Sequence, residues 1–116
     1  LEDLLVRVHT DYAPQSIVIN ENGSAWNDSA PVNGRVVDPD RIDYLNGHLM
    51  AAHDAIAQGV PLDGYFAWSL LDNFEWAEGY IKRFGITYVD YETQERTIKD
   101  SGRFYAETIR AHGENL

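Results

Sequence analysis

The sequence predicts an α/β fold with parallel strands. Two short runs, Ile17–Ile19 and Gly64–Leu71, are apolar at almost every position, and each follows a segment with the periodicity of an amphipathic helix. Strands that are apolar on successive positions are typical of parallel sheets covered on both faces, with helices outside. A repeated helix–strand order is the usual succession of elements in such folds. With 116 residues, the chain is long enough for one modest hydrophobic core.

The first helix is predicted at the start of the chain. Leu1, Leu4, Leu5 and Val8 follow the 3.6-residue period of a helix flank. Pro14 prevents the helix from continuing into the first apolar strand. We therefore expect a helix that leads directly into a strand.

A long loop is predicted directly after the first strand. Residues 23–37 are rich in Asn, Ser, Asp, Gly and Pro. Long loops at strand ends are frequent locations of functional residues. The loop begins just after Glu21, which makes that acid a candidate site residue.

The second helix has the clearest boundaries. Asp38 is a plausible N-cap, Pro39 suits the first helical position, and Gly59 ends the pattern. Apolar residues recur between them at steps of three and four: Ile42, Leu45, Leu49, Ala52 and Ile56.

The last third of the chain predicts a hairpin and a final helix. Residues 86–91 and 96–98 have the composition of two short strands, separated by polar residues. Asp100 or Ser101 is expected to cap the final helix. Its inward-facing residues are predicted to be Tyr105, Thr108 and Ile109.

Composition excludes several classes of function. The 9 basic and 19 acidic side chains give a net charge of −10, which repels the phosphate backbone of nucleic acids. No apolar run approaches the roughly 20 residues needed to span a bilayer. The absence of cysteine removes disulfides and thiolate zinc sites and favours a reducing compartment such as the cytoplasm. The first residues lack the basic region of a signal peptide.

Two motifs combine carboxylates with aromatic side chains. In residues 17–23, Ile-Val-Ile-Asn-Glu-Asn-Gly, Glu21 stands where an apolar strand opens into a loop. In residues 68–76, Trp-Ser-Leu-Leu-Asp-Asn-Phe-Glu-Trp, Glu75 lies between two aromatic residues. Aromatic rings present apolar faces and carboxylates accept hydrogen bonds from hydroxyl groups. Together the motifs indicate part of a sugar-cleaving pocket.

In these two motifs the sequence resembles glycoside hydrolase family 1, the β-glucosidase family. The resemblance extends to residues 38–42, 78–80, 83–85 and 88–91 and so covers essentially the whole chain. It implies the C-terminal part of a (β/α)8 TIM barrel, with residues 17–20 as strand seven and residues 64–70 as strand eight.

A complete barrel of this kind needs about 250 residues or more. The resemblance therefore implies that residues 1–116 form a partial catalytic domain, lacking roughly the first six β/α units. Both motifs fall at the carboxyl ends of strands, where barrel active sites are built.

The resemblance implies that Glu21 is the catalytic nucleophile, which forms a covalent glycosyl-enzyme that water hydrolyses with net retention. Asn22 would support the nucleophile, and Gly23 would give its turn the necessary backbone freedom. Trp68 would stack on the sugar ring.

The same resemblance assigns the remaining sugar contacts. Glu75 would accept hydrogen bonds from the 4- and 6-hydroxyls, Trp76 Nε1–H would bind the 3-hydroxyl, and Phe84 would wall the hydroxymethyl side. Relatives that cleave 6-phosphoglycosides typically have serine at the position of Glu75, and a carboxylate there would repel a phosphate. The expected substrates are therefore unphosphorylated β-glucosides or cello-oligosaccharides, with galactosides and fucosides as side substrates.

One essential group is missing from the chain. Retaining hydrolysis needs a second carboxylic acid about 5 to 5.5 Å from the nucleophile. In the family this acid belongs to an Asn-Glu-Pro motif, which does not occur here. We therefore expect the chain to need the remainder of the barrel, an N-terminal polypeptide, as a partner and to be inactive alone. A second polypeptide, a longer parent chain and an assembly of several copies are the possible sources.

A non-catalytic carbohydrate-binding remnant is the alternative function. In that case the aromatic and acidic residues would bind sugar and Glu21 would only accept hydrogen bonds. No cofactor or metal is expected, because the family mechanism requires none and His48 and His53 are poorly spaced for one ion. Other acids, such as Asp72, Asp90 and Asp100, are expected to be helix or turn caps and solvated groups.

Overall fold

The computed structural model describes residues 1–116 and has three α-helices and two separate two-stranded sheets. The elements are α1 (Glu2–Tyr12), β1 (Ile17–Asn22), α2 (Pro39–Ala57), β2 (Leu62–Ala67), β3 (Thr87–Val89), β4 (Arg96–Ile98) and α3 (Asp100–Arg110). A single 3-10 turn spans Trp76–Glu78. No helix has the length and apolar character required to cross a membrane.

The predicted connection from α1 to β1 is confirmed. The helix ends at Tyr12 because Ala13 adopts the left-handed conformation, with φ of 45°, and donates its backbone N–H to the carbonyl of His9 at 2.9 Å. Pro14 then keeps the chain out of helical geometry. The strand starts three residues later, at Ile17.

The strands β1 and β2 are parallel neighbours, as predicted. Ile17 lies opposite Leu62, and Asn22 lies opposite Ala67. However, β2 ends at Ala67, four residues before the predicted end. Ser69 exchanges hydrogen bonds with residues 84 and 86 instead of with β1. The chain therefore leaves the sheet at Trp68 and turns towards that segment.

The hydrophobic core lies on one face of this parallel pair. Leu5 of α1, Ala55 of α2 and Val60 form its buried centre, and strand residues such as Ile17 pack against them. The opposite face is open in this chain, with Val18 44% and Phe66 60% exposed. The expectation that both faces are covered therefore holds for the helix side only.

Helix α2 begins at Pro39 as predicted, and Asp38 occupies the N-cap position. The Asp38 carboxylate does not cap the helix, because it accepts hydrogen bonds from the backbone N–H and hydroxyl of Ser101 and pairs with Arg41. Gly59, with φ of 92°, closes the C-terminal end. Of the predicted inward residues, Leu45 and Ala52 are buried whereas Ile56 is exposed.

The hairpin and the final helix are also present. β3 and β4 pair antiparallel, and Asp90 caps the connecting turn by accepting the backbone N–H groups of Glu92 and Thr93. These backbone hydrogen bonds lower the pKa of Asp90.

Helix α3 differs from its prediction in two details. Neither Asp100 nor Ser101 is its cap, because Lys99 occupies that position and makes no side-chain capping bond. Thr108 is buried and Tyr105 is partly buried, but Ile109 is 58% exposed. Successive helical residues are rotated by about 100°, so a buried Thr108 turns Ile109 away from the core.

Candidate active site

The two motifs meet at the carboxyl ends of the parallel strands. The backbone N–H of Trp68 donates to the carbonyl oxygen of Asn22 at 2.9 Å. A Cβ atom added to Gly23 would lie only 1.7 Å from the Trp68 carbonyl oxygen. Gly23 is therefore required for close backbone approach, and not for the turn freedom predicted from the sequence. This contact brings the neighbours of Glu21 directly against Trp68.

Phe84 belongs to the same region. Its carbonyl oxygen accepts the N–H of Ser69 at 3.0 Å, and the adjacent carbonyl of Arg83 accepts the N–H of Trp26 at 3.3 Å. Residues 83 and 84 thus connect the loop after β1 to the segment after β2. The structure places Glu21, Asn22, Trp68 and Phe84 on adjoining backbone.

Asn22 is held from the outer side of the sheet. Tyr65 of β2 donates its hydroxyl hydrogen to Asn22 Oδ1 at 2.7 Å, and Tyr105 of α3 donates to the Tyr65 carbonyl at 3.1 Å. Burial raises the pKa of Tyr65, which keeps the phenol protonated as a donor. The side chain next to Glu21 is therefore fixed by the neighbouring strand and helix.

Glu75 and Trp76 lie on a tight turn after β2. The Glu75 backbone N–H donates to the carbonyl of Gly79 at 2.7 Å. Trp76 has φ of 42°, a conformation that is rare for a bulky residue and costs about 1–3 kcal/mol. Trp76 is 83% exposed, and Glu75 is only partly buried. The Glu75 carboxylate therefore keeps access to water and needs no internal partner.

The candidate site is an open surface in this chain. Glu21 is exposed, and Trp68 is 37% exposed. One neighbouring cleft is lined by residues 26–29 and 37–41, and another is lined by residues 71–74, 80 and the hairpin. Neither cleft is lined by Glu21, Trp68 or Trp76.

A buried ionic network lies beside these residues and was not predicted from the sequence. Lys99 Nζ contacts the carboxylates of Asp28 at 2.6 Å and Asp72 at 2.9 Å. Arg41 binds both oxygens of Asp28, at 3.0 and 2.7 Å, and also pairs with Asp38. A sixth member, Arg83, donates to Asp72 at 2.6 Å. The network thus contains three carboxylates and three cations.

Asp72 binds side-chain and backbone groups in this network. Besides Lys99 and Arg83, it accepts the backbone N–H groups of Gly85 and Val89. Its side chain is fully buried, so the expectation of a simple cap or solvated acid is wrong. Asp100 forms a separate pair with Arg35 at the surface, and the hydrogen bond from Arg35 lowers the pKa of Asp100.

Arg41 carries its charge deep inside the protein. Burial alone would lower the pKa of Arg41, but the hydrogen bonds and charges of Asp28 and Asp38 outweigh that effect and raise it. Only the spacing of Asp38 and Arg41, three residues apart at a helix start, offered a sequence signal for the network. The contacts of Lys99 join residues 71 and 27 positions apart and have no local signature.

The histidines have no shared role in the structure. His48 stacks on Tyr44, with ring centroids 3.9 Å apart, and its Nδ1 contacts the Tyr44 carbonyl oxygen at 2.8 Å. His53 is exposed beside Asp54. His48 therefore packs against its own helix, and His53 faces solvent.

The parallel strand pair, with an acid and aromatic residues at its carboxyl ends, has the arrangement found in α/β proteins of the barrel class. Residues 1–114 match the model described as "Glycosyl hydrolase family 1", and the chain belongs to that family. The resemblance seen in the two motifs is thereby confirmed.

The relatives are β-glucosidases of greater length. The chain is 56% identical over 110 residues to β-glucosidase A of Thermotoga maritima, covering 95% of this chain and 25% of that protein. It is 53% identical over 113 residues to β-glucosidase A of Acetivibrio thermocellus, covering 97% and 25% respectively. The chain therefore spans about a quarter of the length of the relatives it matches.

The solved structures agree with the sequence comparison. The Thermotoga maritima family 1 β-glucosidase in complex with isofagomine lactam is 54% identical and superimposes with a TM-score of 0.95. The match covers 97% of this chain and 26% of that one. These structural neighbours are TIM barrels, so the chain has the conformation of a quarter of such a barrel.

Proposed function

We propose that this chain is the nucleophile-bearing part of a retaining β-glucosidase that removes terminal, unphosphorylated β-D-glucosyl residues. Activity would require the completed barrel, meaning these 116 residues together with the polypeptide that supplies the remaining strands. The observation that carries the proposal is the contact between Gly23 and the Trp68 carbonyl at the carboxyl end of the strand pair. This contact supports a site in which Glu21 and an aromatic sugar platform act on one substrate.

In the proposed reaction, a Glu21 oxygen attacks the anomeric carbon as the bond to the leaving oxygen breaks. The leaving oxygen takes its proton from a carboxylic acid outside these residues. Water then attacks the ester, the same acid group removes its proton, and Glu21 is released as a carboxylate. Two displacements at one carbon retain the configuration.

The sugar would be held by the residues of the second motif. Trp68 offers a partly exposed ring for stacking, and Glu75 offers a water-accessible carboxylate for two hydroxyls. Trp76 and Phe84 would supply an N–H donor and an apolar wall. The strained backbone of Trp76 supports a functional role for that turn, since such strain is often found at ligand sites.

The names of the relatives support the substrate class. The relatives from Thermotoga maritima and Acetivibrio thermocellus are β-glucosidases, and one 52% identical relative from Bifidobacterium breve is a bifunctional β-D-glucosidase/β-D-fucosidase. We therefore propose β-glucosides and cello-oligosaccharides as main substrates and fucosides as side substrates. Glu75 would exclude 6-phosphoglycosides through charge repulsion.

In the completed barrel, β1 would be strand seven and β2 strand eight. The remaining strands would then cover the open face that contains Val18 and Phe66, and would supply the acid/base carboxylate. Intact-mass analysis combined with size-exclusion chromatography tests this arrangement. A monodisperse, well-folded monomer of 13.2 kDa that needs no further polypeptide would contradict it.

The experiment that tests the catalytic role is covalent labelling of the completed barrel. A 2-deoxy-2-fluoro-β-glucoside with a good leaving group should esterify Glu21, and peptide mass spectrometry should locate the ester there. A Glu21→Gln variant should take up no label, whereas Glu92→Gln, at an exposed hairpin position, should label normally. Saturable sugar binding without an ester would instead support the non-catalytic carbohydrate-binding function.

A second experiment tests the dependence on the missing acid. The isolated 116-residue chain should not hydrolyse cellobiose, because no group within it is positioned to protonate the leaving oxygen in the proposed mechanism. The completed barrel at the same concentration is the positive control. Appreciable cellobiose hydrolysis by the isolated chain would contradict the proposed division of roles.

A further inference from the structure

Lys99 joins the loop that follows β1, the strand of Glu21, to the segment after β2 that carries Glu75 and Trp76. Its ammonium group, with a fully buried side chain, contacts Asp28 in the loop after β1 and Asp72 in the segment after β2. Asp28 follows Glu21 by seven residues, and Asp72 precedes Glu75 by three. One nitrogen atom therefore connects the segment of the nucleophile to the segment of the sugar ligands.

The backbone around Lys99 is anchored to the same two regions. The Lys99 N–H donates to the carbonyl of Ile86 at 3.0 Å, and the Asp100 N–H donates to the carbonyl of Val36 at 3.0 Å. Val36 belongs to the loop after β1, and Ile86 belongs to the segment that pairs with Ser69. The lysine is thus held through its backbone as well as through its ammonium group.

The contacts of Lys99 are difficult to replace by other groups. Buried ions need nearly all their partners, because water is not available to solvate a charge that loses its counterion. Hydrogen bonds in a region of low dielectric are also stronger and more directional than those at the surface. The spacing of Asp28 and Asp72 is therefore fixed by the ammonium group between them.

We infer that Lys99 is a positioning residue for glycoside cleavage, which sets the spacing between Glu21 and the turn carrying Glu75 and Trp76. The inference rests on the proposed function. Small displacements of reacting groups, of about 1 Å, can cost on the order of a hundredfold in rate. Loss of the bridge should therefore slow the attack on the sugar even in molecules that remain folded.

The test uses Lys99→Met in the completed barrel, with 2-deoxy-2-fluoro-β-glucoside as the probe. The first-order rate constant of labelling at Glu21 is a property of the folded, reactive molecules alone. The final labelled fraction measures what share of the molecules is folded. We expect the ratio of this rate constant to the inhibition constant of the probe to be about 10- to 100-fold lower in Lys99→Met than in the unmodified protein. Loss of stability alone would reduce only the labelled fraction.

A double variant distinguishes the effect of an unbalanced buried charge from the effect of losing the bridge between Asp28 and Asp72. Lys99→Met combined with Asp28→Asn restores the equality of buried positive and negative charges but not the bridge. We expect it to recover melting temperature relative to Lys99→Met while its labelling rate stays low. If Lys99→Met does not fold, the double variant alone decides the question.

Arg35→Gln is the matched control. Arg35 forms an ion pair with Asp100, which also joins the loop after β1 to α3, but the pair is at the surface and does not reach Asp72. The labelling rate of Arg35→Gln should stay within about twofold of that of the unmodified protein. Labelling of the Lys99 variants at the unmodified rate would overturn the inference, whereas failure of the unmodified protein to label at Glu21 would overturn the proposed function itself.

Discussion

The candidate site and the ionic network beside it differ in burial, since the site is exposed to solvent and the network is not. Trp76 is 83% exposed and Glu21 is exposed, whereas the side chains of Lys99 and Asp72 are fully buried. The site residues lie at the end of β1 and in the segments after β2, where they are open to solvent, and the network residues make many fixed contacts with one another. Buried groups that fix the segments around an open site can give it precision without lying on its surface.

The two regions also differ in how they use charge. Glu21 and Glu75 are acids with access to water, so they remain available to react or to bind hydroxyl groups. In the network, three carboxylates and three cations balance one another away from water. A buried charge is tolerable only with such partners, and removing one partner is more costly than never having had the pair.

The largest expected effect separates chemistry from stability. In the completed barrel, Glu21→Gln should reduce kcat/KM for an aryl β-glucoside by about 10⁴-fold or more, because an amide cannot form the glycosyl ester. The melting temperature should change little, since the amide of glutamine has the same size and shape as the carboxylate. Steady-state kinetics and calorimetry on the same preparations give both values, and retained turnover would refute the nucleophile assignment.

Asp72→Asn should have the opposite pattern. Removing its charge leaves Lys99 and Arg83 with less compensation, and the expected loss is about 3–5 kcal/mol in the free energy of unfolding. Urea denaturation of the completed barrel measures it. Asp43→Asn, at an exposed position on α2, is the control and should change stability by less than about 0.5 kcal/mol. Equal effects of the two substitutions would mean that the network is not important for stability.

Gly23→Ala should lower both the stability and the activity of the completed barrel. The new methyl group would overlap the Trp68 carbonyl oxygen, so the strand ends must separate, with an expected cost of about 1–3 kcal/mol and roughly a hundredfold loss of activity. Gly47→Ala, on an exposed part of α2 with open space around the added atom, should instead stabilise the protein by about 0.5–1 kcal/mol. Unchanged activity in Gly23→Ala would contradict the contact at the strand ends.

The smallest effect is expected for the surface pair of Arg35 and Asp100. Because the hydrogen bond from Arg35 lowers the pKa of Asp100 in the folded state, the pair stabilises the fold above the unfolded-state value of about 3.9 and ceases to do so as pH falls through the folded value. Melting temperatures of Arg35→Gln and the unmodified protein should therefore differ slightly at pH 7 and converge in acid. A difference that grew at low pH would contradict this sign.

Much of the fold was predictable because it depends on local patterns. The boundaries of α1, the Pro39 start of α2 and the antiparallel hairpin follow from periodicity, proline and turn residues. The end of β2 was placed too late because Trp68–Leu71 is as apolar as the strand before it. Only hydrogen bonding of Ser69 to residues 84 and 86 decides that the strand stops.

The sequence by itself determined the family, the two motifs and the identities of the candidate site residues, because these depend on residue types in a fixed order. The tertiary structure decided that Gly23 and Trp68 touch, that Ile109 faces outward, and that Lys99 joins Asp28 to Asp72. These facts depend on contacts between residues far apart in the chain. They are set by how the helices, strands and loops pack together, and a buried charge in particular takes its partners from that packing.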